Sequence, residues 1–200
     1  KQIRNEVEEL KAKYGAHRIA VVLGTSTSGI SEGENAMSDR LINDEFPASY
    51  DYRQQEIFNL TEFVVTELKL SGISLTISTA CSSSAKAFKT AKELMLHDMA
   101  DAAIVGGVDS LCGMTINGFH SLNSTSEGIC NPSSINRDGI NIGEAAAFAV
   151  LRQDKGEISL LGVGESSDAH HMSAPHPEGE GAICAMRSAL EDANLDADDI

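Results

Sequence analysis

The sequence predicts an α/β layered domain, and three observations lead to this fold class. Stretches with apolar residues at helical spacing alternate with short, continuous apolar runs along most of the chain. The run at 18–23 is rich in β-branched residues and ends in Gly-Thr-Ser, which is typical of a buried parallel strand that leads into a loop. A hydrophobic fraction of 42% over 200 residues is enough for a sizeable core, so we expect a folded chain and not a disordered one.

Each predicted element depends on a local pattern. Residues 1–13 place Ile3, Val7 and Leu10 on one face of a first helix. The same spacing predicts the later helices, and apolar runs without it predict the strands. The predicted helices are 1–13, 34–45, 54–69, 82–97 and 178–193, and the predicted strands are 18–23, 73–78, 102–108, 145–151 and 158–163. Ser, Asn and Gly predominate over 109–141, which indicates a long functional loop that contains a short helix.

The charge balance narrows the classes of partner. Thirty acidic residues against fifteen basic residues give a formal net charge of −15, which repels a phosphate backbone and an anionic lipid surface. Every apolar run is broken before it could cross a bilayer, so no membrane-spanning helix is predicted. Residues 1–13 contain no apolar core of a secretory signal, which predicts a cytoplasmic protein. We therefore expect neither nucleic acid nor a membrane as a partner.

The four cysteines are candidates for chemistry, and one of them stands out. None of Cys81, Cys112, Cys130 and Cys184 lies in a Cys-x-x-Cys pair, so we predict no metal site and no cofactor. Cys81 lies in the run ISTACSSS, where an apolar strand ends, small residues form a turn and a helix begins. A helix N-terminus stabilises a thiolate and an oxyanion, and small neighbours leave room for a substrate carbonyl. The pattern predicts a nucleophile, although a buried structural cysteine would give the same pattern.

Four blocks of sequence, in order, resemble one known family. They are STACSSS at 78–84, ADAAIVGGVDSL at 100–111, NRDGINIGEAAAFAVL at 136–151 and GVGESSDAHHMSAPHPEGEGA at 162–182. The blocks resemble the β-ketoacyl-acyl carrier protein synthases of the thiolase-like superfamily. GTSTSGISEGE at 24–34 is similar to the Gly-rich loop that follows the family's second strand. The resemblance implies a thiolase-like fold with alternating layers of helix and sheet.

The resemblance also implies a reaction, a decarboxylating Claisen condensation in fatty acid or polyketide synthesis. Cys81 would accept an acyl group from an acyl carrier protein or coenzyme A thioester, with its own backbone amide in the oxyanion hole. A malonyl thioester would then lose carbon dioxide and attack. The family uses two histidines and a lysine for that step, in segments of the form H-G-T-x-T and G-H-x-x-G-A-A-G, and neither segment occurs in this sequence. None of the six histidines is therefore predicted to be catalytic.

Further residues take roles from the same resemblance. His171, Met172 and Ser173 match a segment that lines the pantetheine channel of the family, which implies substrate binding, with structural packing as the alternative. Arg137, Asp138 and Glu144 match family positions, and we interpret them as a structural network of ion pairs and hydrogen bonds. The loop sequences at 124–126 and 131–134 depart from the family pattern where that loop shapes the acyl pocket, so the resemblance does not give the chain-length preference.

The resemblance implies that these residues belong to a larger fold. Because domains of this kind come in pairs, we expect an internal part of a protein of roughly 400 residues. The expected division is 1–153 for an N-terminal half without its first strand, and 154–200 for the start of a C-terminal half. Family members are homodimers, and the short apolar strand at 73–78, which lacks Lys and Pro, is the candidate interface.

An acidic carrier protein would need a basic patch on this acidic chain, and we expect one to be formed by Lys86, Lys89, Lys92 or Arg53. Three alternatives to a β-ketoacyl synthase remain. The first is a thiolase or another coenzyme A-dependent condensing enzyme. The second is a non-catalytic partner subunit of a condensing enzyme, and the third is a binding module with an inert cysteine.

Overall fold

The computed structural model describes residues 2–154, 156–172 and 174–200. The strands are β1 (Ile19–Gly24), β2 (Ser74–Ile77), β3 (Ala102–Asp109) and β4 (Ala145–Arg152). The helices are α1 (Arg4–Tyr14), α2 (Ile30–Asn43), α3 (Asn59–Leu68), α4 (Ser83–Leu96), α5 (Gly113–Ser121) and α6 (Glu180–Ala193). Short 3₁₀ turns lie at Ala16–Arg18, Tyr52–Gln55 and Ala197–Asp199. The prediction of an α/β chain is confirmed.

The four strands form one sheet in the order β2-β1-β3-β4. β1 pairs in parallel with both β2 and β3, and β4 returns antiparallel to β3. Helix α4 connects β2 to β3, which lie on either side of β1, and it supplies the crossover that two parallel strands of one sheet require. Gly24 and Gly107 are partners in the register of β1 and β3, so the loops that follow these two strands emerge at the same edge of the sheet.

The core covers both faces of the two central strands. Ile19, Val21 and Leu23 point to one face of β1 and pack in a cluster with residues of α1 and α3. Ala20 and Val22 point to the other face and pack in a second cluster with α4. This alternation is the two-residue period of a strand, and burial on both sides explains why β1 is apolar throughout.

Two glycines allow α4 to begin very close to the sheet. A Cβ atom added to Gly24 would lie 2.5 Å from the carbonyl carbon of Ser83 and from the amide nitrogen of Ser84. A Cβ atom added to Gly107 would lie 1.9 Å from the hydroxyl oxygen of Ser84. The first turn of α4 therefore rests directly on the ends of β1 and β3.

The predicted strand at 158–163 is wrong, because these residues form no strand in the described structure. The segment lies along α6, where a Cβ atom added to Gly162 would lie 2.2 Å from the carbonyl oxygen of Ala189. Ile158 and Leu160 line one cavity with Leu151 and Arg152 of β4, but the described structure gives the segment no ladder partner. Periodicity within a segment cannot show whether such a partner exists.

Two helix predictions were right in type but differ from the structure by four residues or more at the start. Helix α2 begins at Ile30, four residues earlier than predicted, so the loop after β1 is shorter than expected. The predicted helix at 54–69 is divided into the 3₁₀ turn and α3. Asp51 and Gln54 form a capping box, whose hydrogen bonds cap the 3₁₀ turn separately from α3. Helix α3 starts only at Asn59.

The close approach at Gly24 can be tested by adding one methyl group. We expect Gly24→Ala to lower the free energy of unfolding by about 2 kcal/mol, because the new Cβ meets backbone atoms that cannot rotate away. Gly118→Ala in α5 is the control, since no atom lies within 4 Å of its Cβ and alanine favours a helix by up to about 1 kcal/mol. Urea denaturation measures both changes. Equal stability of the two variants would contradict the close approach.

Candidate functional site

Cys81 lies in a tight turn between β2 and α4, as the sequence predicts. Ser82 is the N-cap of α4, and Ser83 is its first residue, so the helix begins within two residues of the cysteine. Cys81 is exposed, and its thiol is free. Ala80 has a φ of 52°, in the left-handed region that residues other than glycine rarely adopt. The left-handed conformation of Ala80 turns the chain sharply, and Cys81 is exposed at this turn in the described structure.

Hydrogen bonds within the turn hold this geometry. The Ser83 hydroxyl donates to the Ala80 carbonyl oxygen over 2.6 Å and accepts the Thr79 amide over 2.9 Å. The Ser83 amide also donates to the Ala80 carbonyl, over 3.1 Å. The Ser82 hydroxyl donates to the Thr79 carbonyl over 2.7 Å. The small serines of the motif thus supply hydrogen-bond donors as well as space.

The loop after β1 packs beside this turn and is anchored by a single carboxylate oxygen. Asp109 Oδ1, at the end of β3, accepts the amides of Ser26 and Thr27 over 2.6 Å and 3.0 Å. The same oxygen accepts the hydroxyls of Thr25 and Thr27, each over 3.2 Å. Both threonines are buried. Ser26 in turn donates its hydroxyl to the Ala80 carbonyl over 2.9 Å, which connects the loop to the cysteine turn.

An apolar cavity of about 450 Å³ opens beside Cys81. One wall is α5, which contributes Met114 and Phe119, and Leu122 follows the helix. The start of α5 is fixed by Glu34 of α2, whose carboxylate oxygens accept the Gly113 amide over 2.8 Å and the Met114 amide over 2.6 Å. The cavity could hold an apolar chain attached to the thiol. We call it the Cys81 cavity.

A second cavity, of about 720 Å³, lies on the other side of the turn, between α4, α6 and the segment 162–168. Glu165 spans it, because its two carboxylate oxygens bind Lys86 over 2.6 Å and Lys89 over 2.7 Å. These hydrogen bonds hold the pKa of the Glu165 carboxyl group below its ordinary value of 4.5, and the bond from Lys86 has the larger effect. The cavity therefore contains charges that already neutralise one another in part.

The same contacts contradict the predicted carrier-docking patch. Lys86 and Lys89 bind Glu165, and Lys92 binds Asp192 of α6 over 2.5 Å. Arg53 binds Asp51 over 2.6 Å, two residues away in its own turn. The three lysines fasten α6 and the segment before it to α4. The prediction counted positive charges along α4 but could not place their acidic partners, which lie 76 to 100 residues further along the chain.

The described residues of the predicted binding segment do not line either cavity. His171 and Met172 are exposed, and neither lines the Cys81 cavity or the second cavity. Ser173 lies outside the described residues. The neighbouring Asp168 accepts the amides of His176 over 2.7 Å and of His170 over 3.1 Å, and these bonds lower the pKa of its carboxyl group. Asp168 is thus bonded to the backbone of His170 and His176, on either side of the predicted binding segment.

The other predicted residues have structural contacts. Arg137, Asp138 and Glu144 do form hydrogen bonds, but within the described ranges they do not pair with one another. The partners are the Ser134 carbonyl for Arg137, the Ser126 hydroxyl for Asp138 and the Leu111 amide for Glu144. The predicted network is therefore three separate loop contacts, and its ion-pair part is wrong.

No group of three or more His, Cys, Asp and Glu side chains in 2–154, 156–172 and 174–200 could hold a metal ion. Within those same ranges, no helix has the length and apolar character needed to cross a bilayer.

Comparison with known families accounts for almost the whole chain. The model of the β-ketoacyl synthase N-terminal domain matches residues 7–156, and the model of the C-terminal domain of the same family matches residues 132–200. The chain belongs to the β-ketoacyl synthase family. The 3-oxoacyl-[acyl-carrier-protein] synthase 2 of Staphylococcus aureus is 30% identical over 200 residues, which cover 92% of this chain and 50% of that protein. The synthase 2 of Rhizobium meliloti is 34% identical over 148 residues, which cover 66% of this chain and 35% of that protein.

Solved ketosynthase structures share the fold. A structure of the ketosynthase ApeO in complex with its chain length factor ApeC, from Xenorhabdus doucetiae, matches with a TM-score of 0.92 and 47% identity over 100% of this chain and 50% of the other. A β-ketoacyl synthase from Burkholderia phymatum matches with a TM-score of 0.82 and 25% identity over 100% of this chain and 55% of the other. The thiolase-like fold is confirmed. The chain spans about half the length of the Staphylococcus relatives and of these structures.

Within this β-ketoacyl synthase chain, the sequence interpretation missed Ser26, Ala80 and Asp109. A signal for two of them was present in the sequence. Parallel neighbours end at the same edge of a sheet, so the polar loop after β1 and the aspartate that ends β3 had to meet. The left-handed conformation of Ala80 had no signal, because alanine does not favour it.

The anchoring carboxylate can be tested by two substitutions. We expect Asp109→Ala to lower the free energy of unfolding by about 3 kcal/mol, because it leaves two buried threonine hydroxyls and two amides without their acceptor. Asp109→Asn keeps an oxygen at the same place and should cost about 1 kcal/mol. Urea denaturation at neutral pH distinguishes the two variants. Equal losses would mean that charge, and not the shared acceptor, holds the loop.

Proposed function

We propose that this chain carries the acyl-accepting centre of a β-ketoacyl synthase, with Cys81 as the nucleophile. The observation that supports this most is the exposed thiol within two residues of the start of α4, beside an apolar cavity. The thiol sulphur would attack the carbonyl carbon of an acyl thioester. A new S–C bond forms, the bond to the carrier sulphur breaks, and the carrier leaves as a free thiol that takes the proton.

The second half-reaction is proposed for the whole protein. A malonyl thioester loses carbon dioxide, and the carbanion that remains attacks the acyl carbonyl on Cys81. A C–C bond forms, the S–C bond to Cys81 breaks, and the thiolate is restored. The histidine segments that serve this step in the family are not among the 200 residues, so no described side chain is assigned to it.

The Cys81 cavity is the proposed site of the acyl chain. Its polar lining comes from a few hydroxyl groups and its apolar lining from Met114, Phe119 and Leu122, which suits a hydrocarbon and not a charged group. The backbone amide of Cys81 is proposed to bind the oxyanion that forms during acyl transfer. His171, Met172 and Ser173 are proposed to contact the pantetheine arm in the whole protein, since their match to the family segment supports this role.

The family matches also support the proposed division of the chain. We propose that residues 1–153 belong to the N-terminal half of the synthase and that 154–200 begin the C-terminal half, because the two family models match 7–156 and 132–200. The proposed acyl donors are an acyl carrier protein or coenzyme A. The name of the Staphylococcus relative, a 3-oxoacyl-[acyl-carrier-protein] synthase, favours the carrier protein for this chain as well.

Mass spectrometry of the intact protein tests the acyl-accepting role. We expect incubation with a long-chain acyl thioester to add one acyl group to the unmodified protein and none to Cys81→Ala, because none of the other three thiols lines the Cys81 cavity. Cys184→Ala is the matched control, since Cys184 is also exposed and free. Parallel reactions with acyl carrier protein and coenzyme A thioesters identify the preferred donor. An unmodified protein without an adduct from either donor would overturn the proposal.

The same experiment separates the rival functions. A non-catalytic partner subunit would take no acyl group, although the retained nucleophile opposes that reading. A thiolase or another coenzyme A-dependent enzyme would react with the coenzyme A thioester and leave the carrier thioester unused. The structure that pairs a ketosynthase with its chain length factor keeps the partner-subunit alternative worth testing.

We also propose a homodimer in which β2 pairs with β2 of a second copy. β2 is the outermost strand of the described sheet on its side, and Leu75 is 37% exposed there. The strand contains no Lys or Pro that would discourage pairing between edges. The antiparallel joining of two such edges by a two-fold axis would give one continuous sheet.

Solution scattering tests the dimer. We expect the mass of the unmodified protein to be twice that of the chain, and Leu75→Lys to reduce it toward the monomer because a charge would be buried at the new edge. Leu41→Lys is the control, since Leu41 is 82% exposed on α2, away from β2. A monomeric mass for the unmodified protein would exclude the dimer.

A further inference from the structure

The hydroxyl of Ser26 contacts the cysteine turn. It donates to the carbonyl oxygen of Ala80 over 2.9 Å. The other two donors to that oxygen, the hydroxyl and amide of Ser83, belong to α4 itself. Ser26 comes from the loop after β1, so it ties the cysteine turn to a different part of the sheet.

The carbonyl that Ser26 binds belongs to the same peptide unit as the amide of Cys81. This peptide is trans, so its C=O and N–H bonds are coplanar and point in opposite directions. Any group that fixes the Ala80 oxygen therefore fixes the direction of the Cys81 N–H. A hydrogen bond to the oxygen also polarises the peptide and makes its N–H a stronger donor.

The peptide needs such support because Ala80 is strained. A φ of 52° at an alanine costs roughly 1–2 kcal/mol, and the turn would relax if the surrounding groups did not hold it. Ser26 is itself held in place, because its amide donates to Asp109 Oδ1 over 2.6 Å. The buried residues Thr25 and Thr27 on either side bind the same oxygen.

We infer that Ser26 is a positioning residue, which aims and polarises the Cys81 amide toward the oxyanion formed during acyl transfer. This inference depends on the proposed function, in which Cys81 accepts the acyl group. Ser26 also borders the Cys81 cavity, but in this role it makes no hydrogen bond to the substrate. It acts through the Ala80–Cys81 peptide, and Asp109 acts one step further away by holding Ser26.

Two reactions of the same thiol test this role. Acyl transfer forms an oxyanion, whereas alkylation by iodoacetamide displaces iodide at a saturated carbon and forms none. We expect Ser26→Ala to slow acylation of Cys81 about fivefold at saturating donor, which is what the loss of one hydrogen bond would cost. Its alkylation rate and the donor concentration for half-maximal acylation should stay within twofold of the unmodified protein. Ser26→Thr keeps the hydroxyl at an exposed position and should restore acylation.

Ser38 offers a matched control for Ser26. Ser38→Ala removes another exposed hydroxyl that donates to a backbone carbonyl, over 3.0 Å within α2, and should change neither rate. Acylation of Ser26→Ala at the unmodified rate, or an equal fall in acylation and alkylation, would overturn the inference. The ¹⁵N resonance of Cys81 reports the hydrogen bond on the Ala80 carbonyl without any acyl donor. If that resonance does not shift in Ser26→Ala, the inference fails and the proposed function stands. If the unmodified protein takes no acyl group, the proposed function fails, and the positioning role of Ser26 fails with it.

Discussion

The close contact between the first turn of α4 and the ends of β1 and β3 is the constraint on which the candidate site depends. Gly24 and Gly107 permit it, since a side chain at either position would collide with Ser83 or Ser84. Because the helix starts so near the sheet, the chain that leaves β2 has only a few residues in which to turn. Ala80 adopts a left-handed conformation to complete that turn, and Cys81 is exposed as a result. The exposed position of Cys81 therefore follows from how the backbone packs at the start of α4.

The hydrogen bonds that hold the cysteine turn come from two elements. Ser83 of α4 donates to the Ala80 carbonyl oxygen, and Ser26 of the loop after β1 donates to the same oxygen. One oxygen of Asp109 organises that loop by accepting four donors. On the opposite side, lysine-carboxylate pairs that are partly exposed join α4 to Glu165, in the segment before α6, and to Asp192 of α6. Such pairs contribute little to stability individually.

The sequence was sufficient for the elements that carry their own pattern. The strand at 19–24 and the helix that follows Cys81 are within a residue of their predicted limits, because their apolar spacing is set by burial in one core. The strand predicted at 158–163 failed for the opposite reason, since a strand also requires a neighbour that no local pattern reveals. The docking patch failed similarly. Lys86, Lys89 and Lys92 are close in sequence to one another, but their acidic partners are brought to them only by the fold.

The position of α5, which forms one wall of the Cys81 cavity, depends on Glu34 of α2. No side chain at the start of α5 caps that helix, and a carboxylate from α2 takes the amides of Gly113 and Met114 instead. The start of the helix is therefore held by a residue that does not line the cavity. A substitution on α2 that displaces Glu34 would move Met114 and Phe119 together, without changing any residue in contact with a bound chain. The dimensions of the cavity can thus be adjusted in evolution from outside it, while the cysteine turn stays as it is.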